Sequence, residues 1–320
     1  MKRILVTGAA GFIGFHLCKA LLQKGCHVVG IDNFNHYYDP KLKEDRIQLL
    51  DMQILRNDIC DNTALSKLLK EEKITHVVHL AAQAGVRHSL KHPKDYVSSN
   101  LDGFVSIMEA CRHIPDIKVI FASSSSVYGN NEKIPFQEND KTDNPTNLYG
   151  ATKKANELIA YSYHHLFNIP MVGLRYFTVY GPWGRPDMAY YSFTKCILEK
   201  RSIPIFNNGL MQRDFTYIDD IIQGTIAAID YPAKFEIFNL GNNQPIDLMN
   251  FIAVLEKLLG KRAIKDMRPH QKTEVPITFA DITKSQKLLN FRPSTKLEDG
   301  LMRFIEWYHE YHSIASYLTL

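Results

Sequence analysis

Residues 3–32 constrain the fold more than any other stretch of this chain. An apolar run, Ile4-Leu5-Val6, leads into Thr7-Gly8-Ala9-Ala10-Gly11-Phe12-Ile13-Gly14, and a helical pattern through Leu17, Ala20, Leu21 and Leu22 follows. Gly25 ends that helix, and Val28-Val29-Gly30-Ile31 reads as a second buried strand closed by Asp32. Short continuous apolar runs between turn residues are what strands covered on both faces look like. A strand–helix–strand unit makes parallel neighbours, so the pattern predicts a doubly wound, Rossmann-type parallel α/β sheet. Glycines at the first turn let the backbone bend tightly and approach a diphosphate, whose charge the amides at the helix N-terminus stabilise. Asp32 lies 18 residues past Gly14, where a carboxylate holds a ribose 2′-hydroxyl. Asn33, Phe34 and Asn35 follow with no arginine or lysine for a 2′-phosphate, so NAD is expected rather than NADP.

The alternation then continues, with strands expected at 52–55, 77–80, 119–121 and 171–174 and helices at 64–69 and 96–111. Asp58, with Ile59 beside it, follows the third strand; it can reach an adenine or merely cap a turn. Ser123-Ser124-Ser125-Ser126 sits at the carboxyl end of the fifth strand, the end at which open α/β sheets bind ligands. Next comes Asn147-Leu148-Tyr149-Gly150-Ala151-Thr152-Lys153, at the start of a helix expected over 152–167. Residues four apart share a helical face, so the Lys153 ammonium is expected beside the Tyr149 phenol. A nearby cation lowers a tyrosine pKa and makes it a usable general base. Tyr-x-x-x-Lys alone is common surface decoration; the nucleotide site before it gives it weight.

Tyr180-Gly181-Pro182-Trp183-Gly184-Arg185-Pro186 is rich in helix and strand breakers and begins a second region. A strand–helix unit returns over 214–231, a strand over 235–240, and helices near 248–259, 283–289 and 297–311. With no linker in view, the smaller α/β substrate domain is expected to interleave with the first. The division expected is 1–175 plus about 214–240 for the dinucleotide, and 176–213 with 241–320 for the substrate. Hydrophobic and charged fractions of 45% and 22% are those of a soluble globular protein. The five scattered cysteines form no Cys-x-x-Cys pair, which speaks against zinc and disulfides and for a reducing cytoplasm. No stretch approaches the roughly 18 apolar residues of a membrane helix. The net charge of +4 is dispersed, which makes nucleic acid a poor partner.

These residues resemble the extended short-chain dehydrogenase/reductase superfamily and, within it, the nucleotide-sugar epimerases. The likeness rests on Thr7 to Gly14, Asp32-Asn33, His79-Leu80-Ala81-Ala82, Ser123 to Gly129, Tyr149 to Lys153 and Arg213 to Asp220. Asp32 to Asp39, Ala82 to Arg87 and Arg175 to Ala189 are similar to the UDP-glucuronate 4-epimerase subfamily. The resemblance implies Ser124, Tyr149 and Lys153 as catalytic groups. It implies NAD contacts from Gly8, Gly11, Phe12, Ile13, Gly14, Asp32, Asn33, Asn35, Asp58, Ile59, Leu80, Ala81, Ala82, Gln83, Asn100, Tyr149, Lys153 and Tyr176. A UDP-sugar would meet Arg87, Ser125, Ser126, Thr178 and Arg185, with Ile205-Phe206-Asn207 near uracil and Arg213 and Arg268 at the diphosphate. A homodimer through the helices at 96–111 and 152–167 is also implied. One departure stands out: where the family commonly has Pro-Gly-Asp, this chain has the longer Arg268-Pro269-His270-Gln271-Lys272-Thr273-Glu274-Val275, in which Glu274 is the acid expected to stand in for the aspartate.

The implied reaction is reversible C4 epimerisation of UDP-glucuronate through a 4-keto sugar with tightly held NAD. A 4-keto group beside the C5 carboxyl is a β-keto acid that loses carbon dioxide, so Ser125, Ser126, Thr178 and Arg185 are expected to restrain the carboxylate. A neutral CH2OH substrate is expected to leave Arg185 without a counter-ion. A 4,6-dehydratase would need an acid–base pair where Ser125 and Ser126 stand. UDP-glucuronate decarboxylase, UDP-glucose/galactose 4-epimerase and an NAD-binding regulatory protein on the same fold stay open.

Overall fold

The structure, a computed structural model, describes residues 1–232, 234–270 and 275–317, with side chains to residue 313. Its strands are β1 Arg3–Thr7, β2 His27–Asp32, β3 Gln53–Arg56, β4 His76–His79, β5 Lys118–Ser124 and β6 Met171–Tyr176. There follow β7 Thr178–Tyr180, β8 Ser202–Ile205, β9 Gln212–Tyr217, β10 Phe235–Leu240, β11 Pro245–Asp247 and β12 Ile264–Met267. A seven-stranded sheet runs β10-β6-β5-β4-β1-β2-β3 with every pairing parallel. Alternate side chains of a strand leave by opposite faces. Ile4, Val6, Val28 and Ile120 accordingly enter one apolar cluster, and Leu5, Val29, Val119 and Phe121 another. Both faces are covered, which is why the strands read as unbroken apolar runs. The expected fold class is borne out.

Strand order reverses between β1 and β4, and the crevice beyond their carboxyl ends is where such sheets take ligands. The 212–230 unit departs from expectation. β9 pairs with β7 and β11 in a small sheet, because β10 already occupies the free edge of β6. β8 and β12 form a two-stranded sheet beside it. The first apolar cluster runs on without a break into this half through Tyr180, Phe215 and Phe251.

Two helices differ from the sequence reading in ways that matter for the site. The helix expected from 152 begins at Leu148, where the Asn147 side chain accepts the Gly150 amide at 2.8 Å. That cap satisfies an orphan donor and brings Tyr149 inside the first turn. The helical stretch expected over 96–111 is Pro93–Val97, a π-turn at Ser98–Asp102, and Gly103–Cys111. Among the described residues no helix is long and apolar enough to cross a membrane.

Candidate active site

A cavity of about 710 Å³ opens at the switch point and extends under the smaller half. Its floor is the glycine turn. Gly8 has φ +70°, and a Cβ on Gly14 would fall 2.1 Å from the Gly8 carbonyl oxygen, so the turn closes only with glycine there. The helix Phe12–Gln23 starts at Gly11 with no side-chain cap and no acid in its first turn, which leaves its amides for an anion. These features fit a dinucleotide. Asp32 accepts from the Ala10 amide at 3.2 Å and from the Phe34 amide at 2.9 Å. Its Oδ1 also takes Lys43 Nζ at 2.9 Å, in a buried pair. A lysine therefore reaches the acid from the helix Lys41–Ile47, although none follows it in sequence, and its charge is spent on Asp32.

Phe12, Ile13, Asn33, Asn35, Ile59, Leu80, Ala81, Ala82, Gln83 and Tyr176 line the cavity as expected. Two residues expected there do not line it. Asp58 holds a turn, accepting from Asn33 Nδ2 at 2.7 Å and from the Cys60 amide at 2.9 Å. Asn100, aimed by the π-turn, lies behind the wall. Its amide pairs with both backbone groups of Gln83 (2.8 and 3.0 Å) and donates to Thr152 Oγ1 at 3.0 Å. Asn100 therefore sets Gln83 without facing the cavity.

Ser124 ends β5, and its hydroxyl accepts from the Ser126 amide at 3.2 Å. Tyr149 is half-buried and lines the same cavity beside Ser124. Removal from water pushes its phenol up; the hydrogen bond with Ser124 and the charge of Arg185 pull it back only in part. The expectation that Lys153 would lower it is not met. Lys153 Nζ donates to the Ala122 carbonyl at 2.9 Å, and burial brings that ammonium down to about 8. His79 lies behind, brought down to about 3 by burial and by Lys153, so it is neutral. Its Nδ1 meets Thr7 Oγ1 at 2.8 Å, which tethers the two strands that flank the crevice.

On the substrate side, Arg87, Ser125, Ser126, Thr178, Arg185, Phe206 and Arg213 line the cavity, and Ile205, Asn207 and Arg268 do not. Ile205 is fully buried in the core, and Asn207 Nδ2 donates to the Leu210 carbonyl at 3.0 Å. Arg268 pairs with Asp266 at 2.6 Å, with its guanidinium 5.8 Å from the Phe206 ring centre. Arg87 lies 4.2 Å over the same ring. Glu274 and residues 271–273 fall outside the described residues. The counter-ion argument for Arg185 is overturned. A bidentate fork binds it to Asp187, Nε to Oδ1 at 2.9 Å and Nη2 to Oδ2 at 2.6 Å, and the Tyr37 hydroxyl donates to the same carboxylate at 3.1 Å. The sequence reading missed Asp187 as a site residue, though an acid two positions past Arg185 was a visible signal. Tyr37 stands on an irregular stretch, and Lys43 on a helix too short for its spacing to signal anything.

The profile of the NAD dependent epimerase/dehydratase family matches residues 4–241. The chain belongs to that family. UDP-glucuronate 4-epimerase 4 of Arabidopsis thaliana is 48% identical over 97% of this chain and 76% of its own length. The crystal structure of UDP-glucuronic acid 4-epimerase from Bacillus cereus, in complex with UDP-glucuronic acid and NAD, superposes with a TM-score of 0.91 at 43% identity, covering 97% of this chain and 99% of that one. A UDP-glucose 4-epimerase from Thermotoga maritima, solved with UDP-glucose, gives 0.87 at 28% identity, over 97% and 99%. The superfamily resemblance and the dependence on NAD are borne out, and as a member of an epimerase/dehydratase family this chain is an enzyme.

Proposed function

We propose that the protein reversibly inverts C4 of UDP-glucuronate to give UDP-galacturonate. One observation carries the reading: a single cavity joins Ser124, Tyr149 and Lys153 to an arginine-bearing half, in a chain 43–48% identical to enzymes of that activity along nearly all its length. Tyr149 takes the proton of the C4 hydroxyl, and the Ser124 hydroxyl holds the same oxygen. NAD, when bound, accepts the C4 hydride and returns it to the other face of the 4-keto sugar. Ser125, Ser126 and Thr178 offer hydroxyls to the C5 carboxylate. Arg185 adds Nη1, its donor not engaged by Asp187. Holding the carboxylate keeps its breaking bond out of line with the carbonyl, which suppresses loss of carbon dioxide.

Because Asp187 already neutralises Arg185, a neutral sugar is a second reading, that of a UDP-glucose/galactose 4-epimerase. Purified protein incubated with UDP-glucuronate, without added reductant, decides. A UDP-sugar of unchanged mass and new retention is expected. A product lighter by carbon dioxide would make this a decarboxylase, and turnover of UDP-glucose alone would establish the second reading.

The pH profile supplies a further check. The phenol starts above its ordinary value, so the rate rises with pH as Tyr149 ionises. The Lys153 charge is intact below about 8 and lost above it, so the rise flattens there. We expect kcat/KM to climb with pH up to about 8 and then level off, because each further gain in phenolate is matched by a loss of ammonium; a curve still climbing about tenfold per pH unit at about pH 9.5 would remove the Lys153 charge from the mechanism.

We propose the division of the chain given above with its inner boundary moved from 214 to 218, since β9 belongs to the small sheet, and infer a cytoplasmic protein from its five free thiols. A homodimer through Leu148–Phe167 is supported by Leu158 and Leu166, 61% and 63% exposed on that helix.

A further inference from the structure

Arg46 is fully buried, and the chemistry above does not use it. It stands on the helix Lys41–Ile47 and divides its donors between two loops. Nη1 donates to the Ala10 carbonyl in the glycine turn at 2.8 Å and to the Tyr38 hydroxyl at 2.7 Å. Nη2 donates to the carbonyls of Trp183 at 2.6 Å and Gly184 at 3.2 Å, and Nε to Trp183 at 3.2 Å. Those two carbonyls immediately precede Arg185.

Two things about this arrangement need an explanation. The first is charge. Among the described residues no carboxylate pairs with Arg46, since the acids on its own stretch are engaged elsewhere: Asp45 with Lys41 and Tyr311, and Glu44 with Arg56. A buried cation without an anion is costly. The second is backbone strain. Trp183 has φ +60°, the left-handed region that a bulky side chain disfavours, and a Cβ on the next residue, Gly184, would lie 1.8 Å from the Tyr190 hydroxyl. Such a turn persists only where its surroundings over-determine it, and Arg46 grips both of its carbonyls.

We infer that Arg46 is a positioning residue that couples the two ligands of the site. Arg46 does not line the cavity but holds the Ala10 carbonyl of the glycine turn from behind, so the dinucleotide diphosphate bound on that turn supplies the negative charge its surroundings lack; through Trp183 and Gly184 it sets the turn that presents Arg185 to the sugar. This rests on reading the cavity as a site for NAD and a UDP-sugar. Each ligand then tightens the other, by the same factor in either direction.

The test is calorimetric titration of the nucleotide-free full chain with NAD, with and without saturating UDP-glucuronate. Wild-type protein is expected to bind NAD about 5- to 150-fold tighter when the sugar nucleotide is present. Arg46→Lys keeps the charge, but one ammonium cannot span both loops. It is expected to retain most of the affinity for NAD and lose the coupling. Arg46→Met is expected to lose both. Tyr311→Phe, which breaks a contact of the same helix with Asp45, serves as the control and is expected to leave the coupling intact. The inference is overturned by wild-type protein without coupling, by Arg46→Lys with full coupling, or by Tyr311→Phe losing as much. Arg46→Lys carries the test should Arg46→Met not fold. If wild-type protein binds NAD but not UDP-glucuronate, the sugar assignment has failed, and the same titrations with UDP-glucose measure the coupling.

Discussion

Tyr149→Phe is expected to give a folded protein that binds both ligands and turns over about 10²- to 10⁴-fold more slowly, the range a positioned general base contributes. The ring is kept, so its edge contact with Tyr96, centroids 6.2 Å apart, survives. Only the hydroxyl goes, and with it the hydrogen bond to Ser124 and the group proposed to take the C4 proton. Affinity for UDP-glucuronate stays within a few-fold, because a base acting in the transition state is not a ground-state contact. Single-turnover chromatography with a parallel binding titration checks both halves. A variant retaining more than about a tenth of the wild-type rate would transfer the proton step to another residue.

The largest expected effect on stability lies behind the serines. Arg175 and Glu157 are 3% and 5% exposed and form a two-bond fork, Nε to Oε1 at 2.8 Å and Nη2 to Oε2 at 2.9 Å. Burial pushes the Glu157 carboxyl up; the fork, the Arg175 charge and the Ser123 hydroxyl at 2.6 Å more than offset it and hold it ionised. Arg175→Leu leaves that carboxylate only the Ser123 hydroxyl and the longer Lys154 pair at 3.5 Å, at a cost of about 3 kcal/mol. Against a total stability of about 5–15 kcal/mol this is a large share. Urea unfolding is expected to show it as a lowered midpoint. Because Ser123 adjoins Ser124, activity should fall even where the variant is folded. A loss under about 1 kcal/mol would mean that water reaches Glu157.

Much of this was legible in the chain itself. β1, β2 and β5 announce themselves because strands buried on both faces are unbroken apolar runs bracketed by turn residues. What escaped was set by distant partners. β9 carries the local signature of a sheet strand, yet its pairing depends on which edge β10 has taken. Leu148 to Ala151 looked irregular because Gly150 interrupts the pattern, although Asn147 ahead of it was a cap in plain view. The Tyr149–Lys153 spacing correctly put both residues on one helix. It did not reveal that the ammonium would turn to the Ala122 carbonyl, since that choice is made by β5. Arg185 seemed in want of an anion although Asp187 stood two positions on; what no local pattern predicts is the left-handed residue at Trp183 just before it.

The origin of the seventh strand bears on how the protein is made. β6 ends at Tyr176, but the strand that covers its outer edge is β10, residues 235–240. As the chain leaves the ribosome, a six-stranded sheet therefore waits with one edge bare until some sixty further residues, including β7 to β9, have emerged. At about 5–20 residues per second that interval lasts roughly 3–12 seconds. An uncovered parallel edge is a template for wrong pairing, with another nascent chain above all. Codon choice across residues 177–240 is thus a lever on yield that leaves every side chain unchanged.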